Sequence, residues 1–200
     1  MNGIDIYERI RTHLDKCIIL PSCVYVGSHI QEPGVVVQTG NPGFFYCGHD
    51  PRHPDVYPQN VIEFFKRVGI TLHWRDDPKP AIWEKYMLVA SFALVCTHRD
   101  QTLGGVIEDE QSLQMLKVVM EEIHEIAKKR GIDLPEGVIE NIIELCKDYP
   151  DVKPSYMRDV EQGTKSEGDL FGGTILRLGK KHGIPTPMTR TIYNEIQARE

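Results

Sequence analysis

The sequence predicts a small β-rich α/β segment followed by an all-α helical bundle. Three observations lead there. Short β-type runs separated by Pro-Gly turn signals occur only before about residue 76. After Asp77 the apolar residues recur at steps of three and four, which is a helical period. One of those later helices is apolar all round its centre, which marks a helix enclosed by others.

The elements follow in order. A first helix is expected over Ile4 to Leu14. Candidate strands are Ile18-Ile19-Leu20, Val24-Tyr25-Val26, Val35-Val36-Val37 and Phe44-Phe45-Tyr46, with Pro33-Gly34 and Asn41-Pro42-Gly43 as the turns. A helix from Val56 to Val68 presents Val61, Phe64, Phe65 and Val68 on one face, and a strand from Ile70 to Trp74 follows Gly69. Asp77 and Pro78 then form a good helix start, and that helix should run to about Cys96. Leu103-Gly104-Gly105 reads as a loop. Ile107 to Arg130 is a helix with Leu113, Leu116, Met120, Ile123 and Ala127 inward and Gly131 as its stop. Pro135 opens a helix to Lys147, and Pro154 opens another that closes at Gly163. Ser166 begins one with Asp169 three residues on, in the manner of a capping box, ending at Gly183. Pro187 starts the last. The domains are therefore residues 1–76 and 77–200. A strand-rich piece this small is poorly suited to standing alone.

Composition narrows the function classes. Hydrophobic residues at 40% and charged residues at 26% fit a globular chain. A net charge of -6 and scattered basic residues argue against a nucleic-acid partner. Lys128-Lys129-Arg130 sits at a helix end, where positive charge suits the macrodipole. Five cysteines without a Cys-x-x-Cys fit a reducing cytoplasm, and Cys96 reads as a small core residue. No signal-peptide layout opens the chain, and the apolar stretch from Tyr86 to Cys96 is too short to span a bilayer. There is no Gly-x-Gly-x-x-Gly, Walker loop, His-Glu-x-x-His or Gly-x-Ser-x-Gly.

Three residues are candidates for chemistry. Lys85 lies beside Trp83 and Tyr86 where the enclosed helix begins, so it is partly desolvated and suited to giving up a proton. The plain alternative is a lysine whose stem covers core while its head reaches water. Glu167 falls in the first turn of a helix, which favours an ionised carboxylate, and helix-terminal acids are also common without any function. Ser155 reads as an N-cap, or as a hydroxyl at a helix start able to hold a substrate carboxylate. On pattern alone the plain readings of Lys85 and Glu167 lead. The loop from Gly48 to Asp55, with His49, Asp50, His53 and Asp55, could hold a metal. Its two prolines and lack of a regular element favour a polar loop.

Taken together, Ile82-Trp83-Glu84-Lys85, Pro154-Ser155-Tyr156-Met157-Arg158-Asp159-Val160, Thr164-Lys165-Ser166-Glu167-Gly168-Asp169 with Gly173, and His182-Gly183-Ile184-Pro185-Thr186-Pro187 resemble the ketopantoate reductase (2-dehydropantoate 2-reductase) family. The order and spacing carry the resemblance, over nearly the whole chain. It implies a Rossmann-type NADP-binding domain, of which residues 1–76 are the C-terminal remnant. It also implies a helical substrate-binding domain like the C-terminal one of 6-phosphogluconate dehydrogenase. The implied activity is NADPH-dependent reduction of ketopantoate, or a related 2-keto acid, in pantothenate and coenzyme A biosynthesis. Lys85 looks like the general acid and Glu167 like its orienting partner. Ser155 and Asn2 look like substrate contacts, with Asn2 and Glu167 beside the nicotinamide. No metal, nucleic acid or membrane is implied, and the helical half is expected to offer a homodimer interface.

The chain departs from the family pattern at Val89 and Ala93, where asparagines are usual, and at Gly168, where a branched residue is usual. Thr189 stands where an asparagine is often found. The glycine-rich turn that grips the pyrophosphate does not occur, and roughly the first hundred residues expected of the family have no counterpart. The expectation is a truncated form, inactive alone. The competing expectation is a non-catalytic binding or dimerisation module derived from the same family. A metal-dependent hydrolase rests only on the His49–His53 loop.

Overall fold

The computed structural model describes residues 2–200, without the side chains of residues 29 and 39–41. The chain divides into two units, residues 6–82 and residues 2–5 with 83–200.

The first unit begins with helix α1, Ile6–Arg11, shorter than the expected Ile4 to Leu14. Strands β1, Ser22–Glu32, and β2, Val35–Gly48, form an antiparallel hairpin, and β3, Thr71–Arg75, pairs parallel with β2. The order is β1-β2-β3. Pro33-Gly34 is the hairpin turn as expected, with Gly34 at a φ of 86° that glycine adopts freely. Asn41-Pro42-Gly43 is not a turn. Pairing steps from Tyr25↔Phe44 to Gly27↔Thr39, so this stretch is a wide irregularity inside one long strand. Turn residues serve a bulge for the same reason they serve a turn: the backbone must leave the extended region. Ile18 to Leu20 is not a strand either, because Asp50 Oδ2 accepts the Ile19 N–H at 2.8 Å and the ladder partner is gone.

Helix α2, Gln59–Arg67, starts three residues later than expected and buries no residue, with Phe64 half exposed. Phe65 nevertheless meets Phe45 of β2 edge-on at 5.4 Å. A polar knot fixes the other end of the sheet. Asp50, fully buried, accepts from Arg11, from Tyr7 Oη at 2.6 Å, and from the N–H groups of Ile19 at 2.8 Å and Arg52 at 3.0 Å. Burial alone would raise this carboxyl, but those donors outweigh it and hold it well below the usual carboxylate range.

The second unit is helical. Helix α3, Lys79–Arg99, opens with Asp77 Oδ1 accepting the Lys79 N–H at 3.1 Å, which is the expected start. Its centre from Met87 to Thr97 is almost wholly buried, as its apolar circumference requires. The two hydroxyls inside it are satisfied along the helix, Ser91 to Met87 O at 2.5 Å and Thr97 to Ala93 O at 2.6 Å. Cys96 is a core residue, and burial pushes its thiol up to about 12.

The expected loop at Leu103-Gly104-Gly105 is instead helix α4, Leu103–Glu108. Tertiary packing overrides the poor helix propensity of glycine here. The Gly104 N–H donates to Pro150 O at 2.9 Å, and a Cβ at 104 would lie 2.8 Å from the proline ring. Asp109 then caps α5, Glu110–Lys129, through the Ser112 N–H at 2.9 Å, so the single helix expected from Ile107 is two. Leu116, Met120, Ile123 and Ala127 are buried as the period demands, Leu113 in the first turn is only half-buried, and Gly131 at a φ of 69° ends the helix.

Helix α6 is Val138–Cys146 and α7 is Ser155–Glu161, the latter closed by Gly163 at a φ of 62°. Next comes a π-helical turn, Asp169–Gly173, which runs into α8, Thr174–His182, and stops at Gly183. Helix α9, Pro187–Gln197, carries proline at its first position. Its free N–H groups find a buried carboxylate on α5. Glu122 accepts from Met188 N at 2.8 Å, Thr189 N at 3.0 Å and Thr189 Oγ1 at 2.6 Å. Among the described residues no helix is long and apolar enough to cross a membrane.

Candidate functional site

The first turns of α3 bring Lys85 out of the helix beside buried Trp83 and Tyr86, and Lys85 itself is half-buried. Its Nζ donates to Asn2 Oδ1 at 3.0 Å. The Asn2 carboxamide faces the other way with its nitrogen, Nδ2, 3.5 Å from Glu167 Oε2. One side-chain amide therefore spans a cation and a carboxylate, with its oxygen toward the positive end and its nitrogen toward the negative. The three residues are 83 and 165 positions apart along the chain. Each also keeps some solvent access, so the trio is neither a buried structural pair nor a surface one.

The backbone around Glu167 is built for this. Glu167 stands just before the π-helical turn, whose wide ring closes with the Gly173 N–H to Gly168 O at 3.3 Å. Tyr86, the neighbour of Lys85, places its hydroxyl 2.9 Å from both Leu170 O and Phe171 O. That contact ties the Lys85 turn to the segment carrying Glu167. The capping box expected at Ser166 does not form. Ser166 Oγ accepts from Gly168 N at 3.3 Å, while the Asp169 carboxylate pairs with Arg177 eight residues on.

Gly168 also has a local reason. A Cβ there would lie 2.7 Å from the hydroxyl of Tyr156, which is fully buried and tilts against Phe171 at 5.8 Å. Tyr156 fills the space that a branched side chain at 168 would need. This links the α7 start, with Ser155, to the Glu167 segment. Ser155 itself is the first residue of α7, not its cap, and is exposed. Its hydroxyl makes no hydrogen bond among the described residues, so the structure does not join it to the trio.

Other candidates have plain roles. Thr189 is committed to Glu122, and Ala93 lies in the core. In the His49–His53 loop, Asp50 is taken up by Arg11 and His49 meets Trp74 edge-on at 4.9 Å. Among the described residues no group of three or more His, Cys, Asp or Glu is placed to hold a metal. Residues that sequence reasoning missed are Asp5, Thr174 and Arg177. Thr174 Oγ1 lies 3.4 Å from Asp5 Oδ2, and Arg177 Nη2 donates to Thr174 at 2.9 Å. Asp5 follows Asn2 closely in the chain, which was the one signal available for it.

The family description "Ketopantoate reductase PanE/ApbA C terminal" matches residues 77–200. This chain belongs to the ketopantoate reductase family. A 2-dehydropantoate 2-reductase of Streptococcus pyogenes serotype M18 is 24% identical over 206 residues, covering 100% of this chain. The chain spans 66% of that relative's length. Among solved structures, a PanE/ApbA family ketopantoate reductase from Ralstonia eutropha superposes with a TM-score of 0.88 at 24% identity, over 99% of this chain and 64% of the other. A D-mandelate dehydrogenase, solved with NADH and anilino(oxo)acetate, also gives 0.88 at 21% identity, over 99% of this chain and 65% of the other. Those two likenesses establish a shared fold.

Proposed function

We propose that this chain supplies the proton-delivering and substrate-holding half of a 2-dehydropantoate 2-reductase-like reaction. In that reaction NADPH reduces ketopantoate, or a related 2-keto acid, to the 2-hydroxy acid on the route to pantothenate and coenzyme A. The observation that carries this reading is the Asn2 carboxamide held between Lys85 Nζ at 3.0 Å and Glu167 Oε2 at 3.5 Å. As a ketone becomes an alkoxide, negative charge grows on its oxygen. An ammonium positioned at that oxygen stabilises the charge and then protonates it. Asn2 and Glu167 fix the ammonium's direction, and Glu167 also accepts from a substrate hydroxyl. Ser155 is read as a contact to the substrate, on the strength of the family resemblance.

The dinucleotide fits less well. No glycine-rich strand-turn-helix occurs in these residues to receive a pyrophosphate. In this reading residues 1–76 are the C-terminal remnant of a Rossmann-type domain, and 77–200 form a helical domain of the 6-phosphogluconate-dehydrogenase C-terminal kind. Asn2 and Glu167 would lie beside the nicotinamide, and the grip on the rest of the cofactor would lie outside these 200 residues. The dehydrogenase solved with anilino(oxo)acetate supports a 2-keto acid as the substrate class while leaving its side chain open.

Calorimetry of the isolated chain should show weak NADPH binding or none. The chain joined to a glycine-rich nucleotide-binding segment should oxidise NADPH when ketopantoate or another 2-keto acid is added. Tight binding by the isolated chain overturns the division of labour. A folded, NADPH-binding fusion that turns over no 2-keto acid overturns the reaction. It would favour the second reading, a non-catalytic binding or dimerisation module.

A further inference from the structure

The trio depends on a short segment that no regular element holds. Asn2 to Asp5 precede α1 and pack with the helical unit. Ile4 supplies an apolar anchor, 8% exposed. One buried methyl-rich side chain excludes water but does not fix the rotation of an irregular segment about its own axis. A polar contact at a second point does.

Asp5 provides that point. Its carboxylate, half-buried at 17% exposure, approaches the start of α8, where Thr174 Oγ1 lies 3.4 Å away and Arg177 Nη2 lies 3.7 Å away. Thr174 is fully buried at the first position of α8, and its oxygen accepts from Arg177 Nη2 at 2.9 Å. Arg177 is in turn tied to the Asp169 carboxylate and, at 3.2 Å, to the Asp169 carbonyl. Asp169 lies two residues after Glu167. The same guanidinium thus touches the segment that carries Asn2 and the π-helical turn that follows Glu167.

We propose that Asp5, Thr174 and Arg177 form a latch that positions the Asn2 carboxamide between Lys85 and Glu167. Only Gly3 and Ile4 separate Asn2 from Asp5, so a fixed Asp5 leaves the Asn2 side chain only a short arc. A freed segment lets the amide rotate and lose one or both of its partners. These are positioning residues, since none touches a reacting atom. The inference rests on the reading of Asn2, Lys85 and Glu167 as one working unit.

The test uses the whole chain labelled with ¹⁵N-asparagine. The five asparagines give five side-chain amide pairs, and Asn2→Ser identifies that of Asn2 by its loss. Asp5→Ala and Arg177→Met should each move the Asn2 pair toward free-amide positions. Each should also speed its hydrogen exchange about tenfold, the size expected for loss of a hydrogen-bonded anchor. Arg177→Lys should restore part of the shift, and the Asn194 pair on α9 should stay in place. If Asp5→Ala does not fold, Thr174→Val decides by the same readout, because it removes one hydroxyl and keeps the volume. An Asn2 pair unmoved in the folded variants overturns the latch. The signal does not depend on turnover, so a failed reductase assay and a failed latch are distinguishable results.

Discussion

The two units each gather charged and polar groups, and they do so to opposite ends. Around Asp50 in the first unit, the carboxylate is fully buried and four donors are already spent on it. Arg11, its partner, also donates to Leu14 O at 2.9 Å and Cys17 O at 2.7 Å. Nothing is left over for a substrate, and the arrangement closes the chain between α1 and β1. Around Asn2 in the second unit the groups are half-buried, and the amide's contacts are longer, at 3.0 and 3.5 Å. The ammonium of Lys85 and the carboxylate of Glu167 each keep part of their surface open to solvent. Full burial with every acceptor position taken marks a structural knot, whereas charged groups that keep solvent access beside buried Trp83 and Tyr86 are within reach of another molecule.

That contrast can be broken by mutation. The largest effect should come from Lys85→Ala. In the chain joined to a nucleotide-binding segment, NADPH oxidation should fall by about 10²–10⁴-fold, the range for loss of a general acid, while the melting temperature hardly moves. A rate within a factor of two of the parent removes Lys85 from the acid role.

Asp50→Asn should do the reverse. It leaves Arg11 buried against a neutral partner and should destabilise the first unit by about 3 kcal/mol in a urea titration. The same knot sets an acid limit. The folded-state value of Asp50 lies below that of an unfolded aspartate, so its stabilisation is present above about pH 3.9 and drains away as pH falls from there. Acid melting followed by Trp74 fluorescence should therefore be steeper in the parent than in Asp50→Asn. Equal slopes would show that the carboxylate is not the titrating element.

Smaller changes sharpen the picture around Glu167. Gly168→Val should cost about 2 kcal/mol through overpacking against Tyr156, and Tyr156→Ala in the same chain should recover part of it. Independent, additive costs would mean that the two residues do not share that space. Tyr86→Phe removes a hydroxyl from Leu170 O and Phe171 O and should cost about 1 kcal/mol, read from chemical denaturation.

Much of the helical half was legible because its signals are local. Gly131, Gly163 and Gly183 all adopt positive φ at the helix ends they were expected to mark, and Pro187 opens α9. The apolar circumference of α3 translated directly into burial. The β-rich half was less legible, because Asn41-Pro42-Gly43 has the composition of a turn and only cross-strand pairing makes it an irregularity within β2. Gly104 and Gly105 read as a loop because the contact with Pro150 that keeps them helical is distant in sequence. The site followed the same division. Lys85 and Glu167 were identifiable only through several motifs taken together, since each alone resembles an ordinary charge. Tyr86 was legible only as an apolar neighbour of Lys85, and Thr174 and Arg177 had no pattern at all. The contacts by which Tyr86 and Thr174 act run across roughly eighty to one hundred and seventy positions.

The π-helical turn adds a constraint of its own. A π turn accommodates one residue more than an α turn, so Asp169–Gly173 behaves like an α-helix with a single residue inserted. Removing one residue there would let the turn relax into continuous α-helix. Everything on its N-terminal side would then swing by about 100° around the axis, one residue's share of a helical turn. Glu167 lies on that side, so its orientation is set by a count of residues as much as by any side chain. Deletion of Gly172, which removes no side chain, should spare the helix and disconnect Glu167 from Asn2, a lesion that no substitution at Glu167 itself reproduces.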